Sequence, residues 1–314
     1  MVIISTTFSK LKKYNYTDSI ISVGSFDGVH LAHKTIFDKM SVLKKQRNSK
    51  SIVITFNPLP KFVLQDKNIN QSYLLTELEN KNNLIKEAGI DVLVILSFTK
   101  KTALITAENF LNKIIHCFNP SHFVMGYNHN FGHKRKGDVD FLRSQSNDRF
   151  KVHLIKEQIN SNKDSISSTK IRNYISIGKI EKANILLGHQ YSLRGSVVKG
   201  QGVGRKINFP TINTKPLNDC QLIPFRGVYF VNLIIENQLY SGMCNIGFKP
   251  TLTNSKEESI EVHIFSVGIA KDFYKKEVEI FFIKYLRNEI KFKNLEFLRR
   301  QLEKDKQKCL SVEI

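Results

Sequence analysis

Three stretches of the chain bring together residue types that handle phosphate. The first, Val23-Gly24-Ser25-Phe26-Asp27-Gly28-Val29-His30-Leu31-Ala32-His33, follows a β-branched run and opens a helical one. Glycines at such a turn let the backbone approach a ligand, and a helix N-terminus offers unpaired N–H groups and a dipole that favours anions. His30 and His33, three positions apart, fall together at that helix entrance, where they can donate hydrogen bonds to phosphate oxygens. A His pair standing alone would read as a polar cluster; the surrounding Gly24, Phe26, Asp27 and Gly28 turn the reading toward a nucleotide triphosphate.

The second stretch is Ile166-Ser167-Ser168-Thr169-Lys170-Ile171-Arg172, which gathers hydroxyls and a guanidinium at another helix start. By itself it is a helix cap. Beside a phosphate loop, Ser168, Thr169 and Arg172 gain a second use, since hydroxyls and Arg can hold leaving pyrophosphate.

The third stretch runs from Gly195 to Asn213, with Gly200, Gly202 and Gly204 alternating and Phe209-Pro210-Thr211-Ile212-Asn213 immediately after. It lacks the Gly-Lys-Ser/Thr ending of a P-loop. Thr211 and Asn213, two apart on an extended segment, point the same way and can offer oxygens to one hard cation that bridges nucleotide phosphates.

The elements that must position these residues differ between the two halves. The first half alternates short β-branched runs with helical stretches, as a parallel sheet with crossover helices requires. Strands are expected at Ile20 to Gly24, Ser51 to Phe56, Asp91 to Leu96, His122 to Gly126 and Phe150 to Ile155. A helix from Thr76 to Ala88 is framed by the capping box Thr76-Glu77-Leu78-Glu79 and a stop at Gly89; another opens at Thr106 and ends before Pro120. Gly137-Asp138 reads as a turn and helix cap, and Ile171 to Ile177 and Ile180 to Leu187 as helices.

From Tyr191 onward strands follow one another without helices: Tyr191 to Val198, Gly227 to Ile235, Leu239 to Ile246, Ser259 to Phe265 and Glu277 to Ile283. That pattern predicts a small antiparallel barrel. A final amphipathic helix, about Leu295 to Lys308, carries Leu295, Leu298, Leu302 and Cys309 on its apolar face. The boundary between domains is placed near Gly188, giving 1–187 and 188–314.

Together the first two stretches resemble the H-x-G-H and S-S-T-x-I-R motifs of the nucleotidylyltransferase superfamily. More closely, they are similar to the adenylyltransferase domain of bacterial bifunctional riboflavin kinase/FAD synthetases. Thr55-Phe56-Asn57-Pro58-Leu59-Pro60 and Gly126-Tyr127-Asn128-His129-Asn130-Phe131-Gly132 stand where that family reads T-F-x-P-H-P and G-x-D-F-x-F-G. Ala32, Leu59, Asn128 and His129 depart from those patterns. The third stretch resembles the P-T-x-N motif of riboflavin kinases. Gly227-Val228-Tyr229, Asn245-Ile246-Gly247, Pro250-Thr251, Ile260-Glu261-Val262-His263 and Tyr285-Leu286-Arg287 follow in family order. Asn208 replaces the glycine before Phe-Pro-Thr and is expected to take the same left-handed conformation.

The resemblance implies a Rossmann-like nucleotidylyltransferase domain followed by a riboflavin kinase barrel. It implies that riboflavin is phosphorylated by ATP to FMN, and that FMN is adenylylated by a second ATP to FAD. His30 and His33 would stabilise charge in the adenylyl step, with Gly24, Phe26, Asp27, Gly28, Asn128, Ser168, Thr169 and Arg172 around the nucleotide. In the kinase step Gly202, Gly204, Thr211 and Asn213 would hold ATP, Thr211 and Asn213 with Mg2+, and Glu261 would act as general base. Arg287, Glu289 and Phe292 would contact flavin. Two other readings are a riboflavin kinase joined to a weakened adenylyltransferase domain, motivated by Leu59 and His129, and a non-catalytic basic nucleic-acid-binding protein.

Composition weighs against the last. The formal net charge is +20, but of 48 basic residues only 11 are Arg, the side chain suited to bidentate phosphate and base contacts. Solvated Lys faces account for the charge. No apolar run approaches the roughly 18 residues that cross a bilayer, and Val2-Ile3-Ile4 is short for a signal peptide, so the expected location is the cytoplasm. Cys117, Cys220, Cys244 and Cys309 lie too far apart for a zinc or disulfide pattern.

Overall fold

The computed structural model describes residues 1–314 except 15, 17, 65–72, 147, 160–164, 201, 203, 205–206, 249–257, 266–272 and 312–314. Pro250-Thr251 therefore lies outside the described residues. The chain forms two compact units, Met1–Ile69 with Leu78–Ser167, and Asn70–Glu77 with Ser168–Ile314.

The first unit is built on six parallel strands: β1 Val2–Thr7, β2 Ser19–Val23, β3 Lys50–Asn57, β4 Val92–Ser97, β5 Pro120–Gly126 and β6 Lys151–Ile155. Around them lie helices α1 Leu31–Arg47, α2 Pro60–Leu64, α3 Leu78–Glu87, α4 Lys100–Ala103, α5 Ala107–Phe118 and α6 Val139–Ser144. The sheet order is β1-β4-β3-β2-β5-β6. Every pairing is parallel. A parallel sheet is covered on both faces, and its central strands β2 and β3 are accordingly buried along nearly their whole length. Alternate residues of β2 and β3 feed two separate cores. Ile21, Val23, Ile52 and Ile54 pack with Phe110, Leu111 and Ile114 of α5, whereas Ile20 and Val53 pack with Ile36, Phe37 and Met40 of α1.

The helix ends obey local rules. Thr106 caps α5 by accepting a hydrogen bond from the Asn109 N–H at 3.2 Å, and Asp138 caps α6 through the Phe141 N–H at 2.8 Å. Gly89 closes the turn after α3 with φ +77°. Two local expectations change. Strand β1, which the sequence reading passes over, pairs with β4 at the edge of the sheet. Helix α3 begins at Leu78, not Thr76, because 73–77 is drawn away: Tyr73 and Leu74 N–H groups donate to the Cys220 carbonyl and Leu222 N–H to that of Leu74. Long-range backbone pairing outweighs the capping signal there.

The second unit begins with α7 Ser168–Ser176 and α8 Ile180–Leu187, helices that precede the sequence boundary at Gly188. Then come β7 Tyr191–Val198, β8 Thr211–Pro216, β9 Gly227–Ile235, β10 Gln238–Phe248, β11 Glu258–Ile264, β12 Glu277–Arg287 and α9 Leu295–Leu310. The six strands close into a barrel in the order β10-β11-β8-β7-β12-β9, with antiparallel pairing throughout. Strand β8, expected only as an extended segment, is a full member. Helix α9 brings Leu298, Leu302 and Cys309 to Ile207, Phe209, Val228, Phe230 and Met243. Leu295, assigned to that apolar face from the sequence, is instead 47% exposed, while Asp305 is fully buried. Asp305 fits because Arg287 of β12 pairs with it at 2.7 Å.

Candidate active sites

In an open parallel sheet, ligands bind beyond the carboxyl ends of the strands where the strand order reverses. Here β2 is that point, with β3 and β4 to one side and β5 and β6 to the other. The loop carrying Gly24, Phe26, Asp27 and Gly28 leaves the carboxyl end of β2, and the Gly126 to Asn130 turn leaves that of β5. The loop is held open in unusual backbone conformations, with φ +46° at Phe26, +86° at Gly28 and +40° at Val29. Bulky residues rarely adopt positive φ, and such strain gathers at ligand sites. Backbone bonds fix it: the Gly24 N–H donates to the Ile54 carbonyl and the Val29 N–H to that of Phe26.

The loop delivers His30 as the extended N-cap of α1, with His33 one turn on. Their rings stack at 3.6 Å with planes 16° apart, and His33 also meets the edge of Phe26. The structure therefore brings together the two histidines that spacing predicted. Burial holds the His33 pKa well below its ordinary value, with His30, His129 and Lys81 adding to the effect. His129 is pushed down to about 4 by burial and by Arg135. At neutral pH both rings are uncharged, so each offers one N–H donor in place of a formal charge. His33 Nδ1 and His129 Nε2 are buried without a hydrogen-bond partner, the kind of polar atom that a ligand can satisfy.

Other expected residues of this unit fall less centrally. Asn128 is exposed on the turn after β5, and its carbonyl accepts from Arg135 at 3.3 Å. Leu59, standing for a histidine, is 6% exposed and packs inward, so the position offers apolar contact only. Ala32 sits in the first turn of α1, where its methyl group is tolerated.

In the second unit, Ser168 is the first residue of α7 and half-buried, and Thr169 is exposed. Arg172 lies flat over the Tyr73 ring at 3.7 Å and donates from Nε to the Tyr73 carbonyl at 2.8 Å. The guanidinium is thus oriented by stacking, which favours Arg over Lys at this position.

The barrel site is more tightly assembled. Strands β8 and β11 pair with Asn213 opposite Glu261 and Thr211 opposite His263. Because alternate residues share a face, Thr211, Asn213, Glu261 and His263 present their side chains together. Thr211 Oγ1 lies 3.5 Å from a Glu261 carboxylate oxygen. A cavity of about 240 Å³ opens onto Gly204, Thr211, Glu261, Arg287, Glu289 and Phe292, with apolar walls from Phe209, Val228, Leu298 and Leu302. Burial raises the Glu261 pKa against the opposing bond from Thr211. A Cβ at Gly200 would meet the Asn213 amide nitrogen at 2.1 Å, so a larger residue there would displace the Asn213 side chain. Gly202 takes φ +71°, and Asn208 takes +61°, the left-handed conformation expected when it replaces glycine.

Several residues escaped the sequence reading. His263 ties Nδ1 to the Pro210 carbonyl at 2.9 Å, fixing the turn that presents Thr211. It lay in a quoted motif, but nothing local distinguished it from a core histidine. Asn245 lines the cavity directly opposite Glu261 on the paired strand β10. Asp305 and Lys81 sit on helix faces where periodicity alone assigns charged residues to solvent.

Known families match both halves of the chain. The FAD synthetase family model matches residues 12–170, and the riboflavin kinase family model matches residues 187–312. The bifunctional riboflavin kinase/FMN adenylyltransferase of Listeria monocytogenes is 34% identical across 92% of this chain and 91% of its own. The protein of that name from Buchnera aphidicola (subspecies Schizaphis graminum) is 35% identical, covering 94% of each chain. A crystal structure from Streptococcus pneumoniae, of a protein named for macrolide efflux, covers all of both chains with a TM-score of 0.90 at 27% identity. Among the described residues no helix is long and apolar enough to cross a membrane. The chain belongs to the bifunctional riboflavin kinase/FMN adenylyltransferase family.

Proposed function

We infer that the chain makes FMN from riboflavin and ATP, and FAD from FMN and ATP. We assign the kinase step to residues 188–314 and the adenylyl step to residues 1–187. The observation that carries the reading is the half-buried Glu261 beside Thr211 in a cavity with an apolar wall, in a chain whose other half holds a strained loop and a stacked His pair. Family matches in both halves favour it over a non-catalytic nucleic-acid-binding protein.

In the kinase step, Glu261 takes the proton from the ribityl 5′-hydroxyl as its oxygen attacks the γ-phosphorus of ATP. One O–P bond forms, the bond to the bridging oxygen breaks, and ADP leaves. A carboxylate raised toward neutrality by burial is a better base than an exposed one. Thr211 Oγ1, the Asn213 amide oxygen and the Glu261 carboxylate are hard oxygen donors of the type Mg2+ takes, so Thr211 and Asn213 are assigned to it. Bound there, the ion would neutralise phosphate charge. Gly202 and Gly204 would allow the triphosphate to approach the backbone, and Arg287, Glu289 and Phe292 would flank the flavin.

In the adenylyl step an FMN phosphate oxygen attacks the α-phosphorus and pyrophosphate leaves. No covalent protein intermediate is required. His30 and His33 donate to phosphate oxygens from the α1 N-terminus, and Gly24, Phe26, Asp27 and Gly28 shape the loop. Asn128, Ser168, Thr169 and Arg172 are assigned to the nucleotide as well. The cytoplasm, as a source of ATP, is the location we assign to the enzyme.

The test is to incubate purified protein with riboflavin, ATP and Mg2+ and to separate the flavins. FMN followed by FAD is the expected result. FMN accumulating without FAD refutes the adenylyl assignment, and no flavin product refutes both.

A further inference from the structure

A buried cation lies under the phosphate loop. Lys81, on α3, is 4% exposed. Its Nζ donates to the Ser25 carbonyl at 3.4 Å and to Thr55 Oγ1 at 3.3 Å, while Thr55 Oγ1 itself donates to the Ser25 carbonyl at 3.1 Å. These three groups form a closed triangle between the loop, the end of β3 and α3. Burying an ammonium costs several kcal/mol unless something opposes the loss of hydration. Among the described residues, the oxygens at hydrogen-bonding distance of its ammonium are two neutral ones, the Ser25 carbonyl and Thr55 Oγ1. The charged and titratable groups whose fields reach it are Asp27 of the loop, which favours its charge, and His33 of α1, whose protonation Lys81 opposes. His30 and His129 act on the same His33.

The placement makes chemical sense when the loop carries an anion. Lys81 bonds the residue between Gly24 and Phe26, where the chain enters its run of positive φ. It therefore fixes the strained turn from beneath and adds positive charge behind the α1 N-terminus. We propose that Lys81 is a positioning residue for adenylyl transfer, holding the Ser25 to Gly28 loop in its phosphate-binding shape through the Ser25 carbonyl and Thr55.

This proposal rests on the adenylyl assignment above. Its test separates the two. Lys81→Met and Lys81→Arg are compared with the unaltered chain, measuring FAD formation from supplied FMN and, in the same preparations, FMN formation from riboflavin. The expected loss for Lys81→Met is about 100-fold in kcat/KM for FAD formation, the scale of an ångström-sized misplacement, with FMN formation unchanged. Lys81→Arg should recover at least a tenth of the lost rate.

The pH profile distinguishes a charged support from a mere filler. Burial brings the Lys81 pKa down to about 8. Its charge is present below that value and lost above it, so kcat/KM for FAD formation by the unaltered chain should fall as pH rises through about 8. The Lys81→Arg profile should stay flat there, since guanidinium does not titrate. Should Lys81→Met fail to fold, that profile alone decides. Lys81→Met activity within threefold of the unaltered chain overturns the proposal, as do identical profiles for Lys and Arg or an Arg variant no better than Met. If the unaltered chain forms no FAD, the adenylyl assignment has failed and the proposal falls with it.

Discussion

The two sites handle the same ligand chemistry with opposite construction. The site assigned to the first unit would recognise phosphate with backbone: a turn bent through Phe26, Gly28 and Val29, and a helix N-terminus where His30 and His33 stack on each other. The site assigned to the second would use side chains on adjacent barrel strands, where Glu261 and Thr211 meet at 3.5 Å beside a cavity with an apolar wall. The difference follows from the bond each makes. Moving a hydroxyl proton requires a base of tuned pKa, whereas an FMN phosphate is already a nucleophile and needs only alignment and charge stabilisation. A backbone-built site also tolerates side-chain drift, which explains why Ala32, Leu59 and His129 can depart from the family pattern around an intact loop.

The comparison breaks most sharply at Glu261. Glu261→Gln should lower kcat for FMN formation by about 10³-fold, within the range for general bases, and leave FAD formation from supplied FMN intact; loss of both would show that the sites do not work independently. Next in size, His30→Ala with His33→Ala should cut FAD formation by about 10²-fold and spare FMN formation. An unchanged FAD rate would refute the phosphate role of the pair.

A pH profile sharpens the contrast further. Because burial raises the Glu261 pKa, kcat/KM for riboflavin should begin to fall, as the solution is acidified, at a pH above the ordinary carboxylate range. The carboxylate is the active form, so activity is lost on the acid side. Adenylyl transfer, with uncharged His33 and His129, should show no such limb through pH 6; a matching acid limb would mean that a base acts there too.

Smaller effects concern support. Asp305→Ala leaves Arg287 unpaired inside the second unit and should destabilise it by about 3–5 kcal/mol, measured by denaturant unfolding. Asn208→Ala should cost about 1 kcal/mol through its left-handed backbone, and Asn208→Gly should not.

Much of this architecture was legible locally. Helix α8 spans Ile180–Leu187, and β7 and β9 span Tyr191–Val198 and Gly227–Ile235, as their periodicity predicts. Turn and cap chemistry likewise specified Thr106, Asp138 and Gly89. These features depend on neighbours within four or five residues, so the chain itself displays them. The residues to which we assign the chemistry were legible as types at a spacing: His30 with His33, and Thr211 with Asn213.

What only tertiary structure decided was which distant groups share a space. The edge strand β1, the diversion of 73–77 from α3, the pairing of Asn213 with Glu261 and the burial of Asp305 all depend on partners far along the chain. Lys81 is the clearest case. An isolated helix would turn its ammonium to water, and only the packing of α3 beneath the loop places it against Ser25 and Thr55. Hydrophobic periodicity records which face of an element is buried, but not which charged group will find compensation inside.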